Sequence, residues 1–286
     1  MQEYKIIGDS CCDYSEGFPG EGSFDFITRV PLTIALGEKS YTDTEELDCA
    51  GLIADMAGTK QAPKSACPAP SAFVDAIGDA KDAYIVTLSE RVSGTYNSAV
   101  LGAEMAKEAR PELNVHVFNS RSAAAGEIAI CCKLKELAES GMAFDEVVAQ
   151  TEAYINDMTT FFVLETLDVF RKNGRLSHLQ AITTAALRIR LIMGADENGA
   201  IVMRGKALTM KRALSGLVEL IRERYETLNK TGHEILYITH CACRARADEL
   251  KSAILETCPG VKTVVICRAG GISTIYANAG GVVIGF

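Results

Sequence analysis

The stretch from Tyr84 to Phe118 constrains the fold more than any other part of the chain. Tyr84–Leu88 is a short apolar run, Thr95 to Arg110 has helical spacing and is stopped by Pro111, and Val115–Phe118 is a second apolar run. A strand, a helix and a strand within about 35 residues make a crossover long enough to place the two strands parallel, with the right-handed connection that such units take. A parallel sheet needs helices on both faces, and the flanking segments offer them. Gly51–Ala57, Ser71 to about Lys81, Ser122 to about Ser140 and Asp145–Met158 read as helices. Tyr4–Gly8 reads as a first strand, and Phe26–Leu36 as a longer one with an edge or bend at Pro31. Pro63–Pro70 reads as a loop. The expectation is an α/β domain with a mainly parallel sheet.

After about residue 160 the rhythm changes. Phe161–Leu167 is apolar and is followed by a turn at Arg171-Lys-Asn-Gly174, a helix from about Ser177 to Arg190, and a hairpin around Asn198-Gly199. A long amphipathic helix over Lys211–Asn229 precedes strand, helix and strand at Ile235–Thr239, Ala247–Thr257 and Val261–Cys267. The Gly-rich stretch from Ala269 to Phe286 reads as loop plus closing strands. The division expected is a domain over 1–160 and a second α/β domain with a mixed sheet over 161–286.

Composition narrows the function classes. At 286 residues, 48% hydrophobic and 23% charged, the chain can bury a sizeable core and is not disordered. A net charge of −8 without a basic stripe argues against nucleic acid. The opening Met1-Gln-Glu-Tyr-Lys runs straight into the first strand, and the uncharged C-terminal stretch is too polar and Gly-rich to span a bilayer, so a cytoplasmic protein without membrane insertion is expected. The ten cysteines include no C-x-x-C. His240-Cys-Ala-Cys243 has no partner pair, so reduced and mostly buried cysteines are expected, and no metal.

In open parallel sheets, ligands bind beyond the carboxyl ends of the strands. The residues found there are Asp9-Ser10, then Ser93-Gly94-Thr95 within Ser89–Ser98, then Ser120 within Asn119–Ser122. Hydroxyls and free N–H groups at a helix start suit an anion, and Gly94 permits close backbone approach. Ser93, Thr95 and Ser122 could equally be plain helix caps. A nucleophilic role for Ser93 would need a G-x-S-x-G elbow or a histidine in reach. The elbow is absent, and His116, His178, His233 and His240 cannot be paired with Ser93 by spacing. No phosphate-binding Gly-rich motif occurs. Among the basic residues, Arg175 is retained as a candidate because it follows a turn near the domain boundary.

Four ordered segments give the chain a family likeness. Asp9-Ser10 follows the first strand, and Pro63-Lys-Ser-Ala-Cys-Pro-Ala-Pro70 precedes Phe73. Leu88-Ser-Glu-Arg-Val-Ser-Gly-Thr-Tyr-Asn-Ser-Ala99 is the most specific of the four, and Leu167–Ser177 contains Arg-Lys-Asn-Gly-Arg-Leu. In these the chain resembles the DegV family of bacterial lipid-binding proteins. The resemblance implies two α/β domains with a long-chain fatty acid in the cleft between them. It also implies a non-catalytic carrier whose ligand carboxylate is held by Ser65 and Ser93, with no cofactor. Gly94, Thr95, Ser120 and Arg175 complete the expected ligand-binding set.

Some family members present the lipid to a fatty-acid kinase subunit. Here Leu208 stands in place of an Arg, and Ala277 aligns with a His of the family pattern, which predicts lipid binding with weak kinase presentation. Two other classes compete with the carrier. An enzyme acting on a small phosphorylated or carboxylated metabolite calls for a wide, polar pocket, and an interaction module calls for a collapsed cleft.

Overall fold

The computed structural model describes residues 4–16, 23–176, 189–228 and 233–286. The N-terminal part contains β1 (Tyr4–Asp9), β2 (Tyr14–Ser15), β3 (Ile27–Val30), β4 (Thr33–Leu36) and β5 (Lys39–Thr42). It continues with α1 (Cys49–Ala57), β6 (Lys64–Ala66), α2 (Pro70–Ile77), β7 (Asp82–Thr87), α3 (Thr95–Ala109) and β8 (Asn114–Asn119). Next come α4 (Ala125–Glu139), α5 (Phe144–Asp157), β9 (Thr160–Val163) and α6 (Asp168–Lys172). The chain closes with β10 (Arg190–Ala195), β11 (Ile201–Ala207), α7 (Met210–Thr227), β12 (Ile235–His240), α8 (Arg244–Thr257), β13 (Thr263–Arg268), α9 (Gly271–Ala277) and β14 (Val282–Gly285).

The first sheet runs β3-β1-β7-β8 and is parallel throughout, so the crossover expected over 84–118 is present. Its inner strands are buried on both faces, because helices cover both. Ile7 and Ile85 pack against α2 and α3 on one side, while Ile6, Tyr84 and Val86 pack against α4 and α5 on the other. Each fully buried side chain of this size contributes about 1.5–3 kcal/mol. α2 and α3 approach so closely at Gly102 that a Cβ there would lie 2.5 Å from the Pro70 carbonyl oxygen.

The second sheet is mixed, in the order β11-β10-β9-β14-β12-β13-β2. Only β12 and β13 pair in parallel. α7 and α8 cover one face, where Ala213, Leu217, Leu250 and Ile254 meet Leu236, Ile266 and Ile284. α4 covers the other. This helix therefore lies between the two sheets, packed on β1 and β7 and on β12 and β14. Residues 125–131 are all buried, as expected of a helix that is apolar around its circumference. It meets β14 at Gly126 and Gly285, where a Cβ on Gly285 would fall 2.5 Å from the Gly126 Cα. β2, from near the N-terminus, joins the far edge of this second sheet through Tyr14 and Ser15.

Several local expectations change. The run Phe26–Leu36 is not one strand: the chain breaks at Pro31-Leu32, β3 joins the parallel sheet, and β4 joins a separate antiparallel sheet β5-β4-β6. The Pro63–Pro70 loop contains β6, which pairs with β4 through Ser65 and Ile34. A short helix, α6, precedes the turn at 171–174. The helix expected over 177–190 falls on residues outside those described up to Arg190, which begins β10. The hairpin forms as read, with Gly199 at φ +79° in its turn. The C-terminal stretch read as loop and strands contains α9. Its N-terminus is satisfied from far away: the Asp43 carboxylate accepts the Gly271 and Ile272 N–H groups at 2.6 and 2.9 Å, and Asp13 Oδ1 accepts that of Gly270 at 2.8 Å. Burial raises the Asp43 carboxyl above the usual carboxylate range. No described helix is long and apolar enough to cross a membrane.

Candidate functional site

A cavity lies where the carboxyl ends of β1, β7 and β8 face the second sheet. It contains about 870 Å³ of unoccupied space, yet only about 100 Å³ admits the centre of a water molecule. The space is therefore narrow rather than wide. Its walls are mostly apolar, with Leu32, Val92, Phe162, Leu164, Phe170, Ile201, Ile272 and Val283 among them. Phe162 stacks on Phe170 at 6.0 Å, and Phe170 meets the Tyr276 ring at 4.7 Å, so aromatic rings form one continuous side.

Polar groups gather around Ser65, Ser93, Arg175 and Tyr276, all of which line the cavity. Ser65 is held by the β6–β4 pairing, and its Oγ lies 3.3 Å from the Tyr276 hydroxyl oxygen on α9. Asn173 Nδ2 donates to Pro63 O at 2.9 Å and to the Tyr276 hydroxyl at 3.4 Å. This ties the proline loop, the turn after α6 and α9 together. Ser98 Oγ donates to Pro68 O, fixing the other end of the proline loop to α3. Arg175 Nε donates to the carbonyl of Val92 at 3.1 Å, the residue before Ser93, and its Nη1 donates to Asn173 O at 2.7 Å. The guanidinium thus holds the Ser93 loop while bringing positive charge to the cavity.

Ser93, Gly94 and Thr95 form the turn into α3, but only Ser93 lines the cavity. Ser93 Oγ lies 2.8 Å from Thr95 Oγ1 and accepts the Thr95 N–H at 3.3 Å. Gly94 occupies the N-cap position with no side-chain cap, and Thr95 is fully buried beneath the turn. Ser120 is also turned inward: its hydroxyl donates to Ser122 O at 3.1 Å and accepts the Ser122 N–H at 3.0 Å, which shapes the loop after β8. The expected set therefore divides. Ser65, Ser93 and Arg175 meet at the cavity, whereas Gly94, Thr95 and Ser120 build the loops behind it.

The plain-capping alternative is not what the hydroxyls do, since α3 and α4 both start without a side-chain cap and Ser122 Oγ instead lies 2.6 Å from Thr160 Oγ1 in the cavity wall. Asp9 is structural here. Its carboxylate accepts the N–H groups of Cys11 and Leu88, both at 2.8 Å, and burial pushes its carboxyl up to about 7.

Tyr276 and Asn173 were not among the expected site residues. The aligned segment points to Ala277, which does line the cavity but offers no polar atom; the neighbouring Tyr276 supplies the hydroxyl. Described histidines are engaged elsewhere: His116 with Glu152, and His240 with Glu16 and the Cys243 N–H. That last contact turns the His240-Cys-Ala-Cys243 stretch inward as a loop. Of the ten cysteines, only Cys67 is exposed.

Known proteins share this arrangement along the whole chain. The model for the DegV family of uncharacterised proteins matches residues 3–286. A DegV domain-containing protein of Streptococcus pneumoniae is 32% identical over 286 residues, covering 99% of this chain and 98% of its own. A DegV-family crystal structure from Ruminococcus gnavus, refined with vaccenic acid, superposes with a TM-score of 0.90 at 38% identity, covering 99% of each chain. The fatty acid kinase B3 protein of S. pneumoniae, loaded with linoleic acid, superposes with a TM-score of 0.86 at 32% identity, over 99% of this chain and 98% of that one.

Proposed function

The chain belongs to the DegV family, and on that premise we propose that it is a non-catalytic carrier or sensor that binds one long-chain fatty acid in the cavity. The observation that carries the reading is the cavity itself, narrow and apolar along its length with hydroxyls and a guanidinium gathered together. The competing metabolite enzyme asked for a wide, polar pocket, and a bare interaction module for a collapsed cleft. In this reading the tail lies along Phe162, Leu164, Phe170 and Ile201. The carboxylate takes hydrogen bonds from Ser65, Ser93 and Tyr276, with Arg175 supplying the compensating charge.

Burying about 15 CH₂ and CH₃ groups at about 0.8 kcal/mol each gives on the order of 12 kcal/mol gross. Association and ordering of the tail consume part of this. The tail therefore supplies most of the affinity and the head group the orientation. The proposed division of labour has residues 1–160 carrying the carboxylate loops and 161–286 closing over the chain, in a cytoplasmic protein that uses no cofactor. A fatty-acid kinase subunit is the partner class that the pneumococcal relative suggests. Native mass spectrometry tests the reading: the purified protein should carry a long-chain acid, and delipidated protein should take one up at a ratio of one per chain. No adduct and no uptake would end it.

A further inference from the structure

We propose that Asp9, Cys11 and Glu127 form a site for one thiophilic divalent cation of borderline hardness, of the Zn²⁺ or Co²⁺ class. The site lies beside the lipid cavity and stands independently of the lipid reading. One donor atom from each residue lies within 4.8 Å of those of the other two. They come from the end of β1, the loop just after it, and the first turn of α4. Asp9 and Glu127 are fully buried and Cys11 is 3% exposed.

Glu127 gives this cluster its meaning. Both of its carboxylate oxygens are buried without a hydrogen-bond partner. A buried polar group left unpaired costs about 1–3 kcal/mol, and a leucine in its place would pack the α4 core without that cost. Asp9 is engaged by the two N–H groups already described, but each oxygen keeps a second lone pair for a cation.

The donor set selects the ion. A thiolate among carboxylates disfavours Mg²⁺ and Ca²⁺ and favours Zn²⁺ or its analogues. Three protein ligands leave a fourth position, and Cys11 lines the cavity, so that position faces open space through which the cation arrives. Two carboxylates and a thiolate carry three negative charges, which a divalent cation reduces to one. The Cys11 thiol proton, and any proton held by the carboxyls, leave to solvent as the bonds form. Bond lengths of about 2.0–2.3 Å require the donors to close to roughly 3.5 Å from one another, a side-chain rotation.

The test is titration of the full-length, delipidated protein with Co²⁺. One ion per chain is expected, with a near-ultraviolet thiolate-to-cobalt charge-transfer band, and Zn²⁺ should displace it. Cys11→Ser should abolish the band. Glu127→Leu should weaken uptake by more than about tenfold while melting no earlier than the metal-free wild type. The other nine cysteines remain in both variants. Absence of uptake by the wild type, or stoichiometry and spectrum unchanged in both variants, would overturn the assignment.

Discussion

The hydroxyl oxygens of Ser65 and Tyr276 lie 3.3 Å apart, although 211 residues separate them in the chain. One comes from a three-residue strand in the proline loop and the other from the last helix. A carboxylate placed between them would replace one weak hydroxyl–hydroxyl contact by two charge-assisted hydrogen bonds. Tyr276→Phe keeps the ring that meets Phe170 and removes only the hydroxyl. It should weaken palmitate binding about tenfold and leave affinity for the matching fatty alcohol nearly unchanged, measured by isothermal titration. An equal loss for acid and alcohol would assign Tyr276 to the tail wall.

Ser93→Ala removes a hydrogen-bond donor to a charged group, which contributes about 1.5–3 kcal/mol, so affinity should fall roughly 10- to 150-fold. The melting temperature should move little, because Ser93 does not cap α3. Ser65→Ala should behave in the same way, and the double mutant should no longer distinguish acid from alcohol. Unchanged affinity in a Ser93→Ala protein that melts earlier would reduce Ser93 to a loop residue.

The hairpin turn rests on the loops of the parallel sheet. Ser89 Oγ donates to Gly199 O at 2.9 Å, and a Cβ on Gly199 would fall 2.4 Å from that Oγ and 2.7 Å from the Arg121 Cα. Gly199→Ala adds both this clash and a left-handed backbone cost, about 1–3 kcal/mol for the latter. Calorimetry should show a lower melting temperature, and stopped-flow measurement a faster release of bound lipid. Release at the wild-type rate would mean that the turn does not help to hold the cavity shut.

His233 stacks on Tyr154 at 4.4 Å, and burial holds its imidazole down at about 4, against an ordinary value of 6.5. Below pH 6.5 the unfolded chain takes up a proton that the folded chain refuses, so stability should fall as pH drops from about 6.5 towards 4. Allowing for solvent screening, the loss is about 1–2 kcal/mol by pH 5. His233→Phe should flatten that part of the profile in denaturant melts at successive pH values. A slope identical to wild type would place the titrating group elsewhere.

Leu208 is 67% exposed, just before α7. If its position governs presentation to a fatty-acid kinase, the wild-type protein should support little acyl-phosphate formation, and Leu208→Arg should raise it. Trapping of the acyl phosphate with hydroxylamine measures both. Strong formation by the wild type would show that this position is not limiting.

The parallel sheet was legible because each of its strands is a short apolar run bounded by turn residues, and the Ser93 loop because strand ends in such sheets collect ligands. β6 was not, because Lys-Ser-Ala is too short to display alternation and owes its extended form to β4. Nor was α9: a helix begun by Gly270-Gly271 has no local cap, and the carboxylates that supply one come from Asp13 and Asp43, more than 200 residues earlier. Tyr276 was hidden with it, since a side chain's neighbours cannot be read before its helix is placed. Ser120 illustrates the opposite error. Its position after a strand is right, but local hydrogen bonds claim the hydroxyl before any ligand could.

The position of α4 sets how a bound molecule can leave. Swinging one sheet away from the other would strip cover from a helix whose residues 125–131 are all buried, and would separate the backbones that touch at Gly126 and Gly285. Opening of that kind is close to global unfolding. Exchange must therefore proceed by small displacements of the proline loop, the hairpin turn and α9. The hydrogen-exchange protection of α4 should accordingly equal the stability of the whole chain, even while ligand turns over.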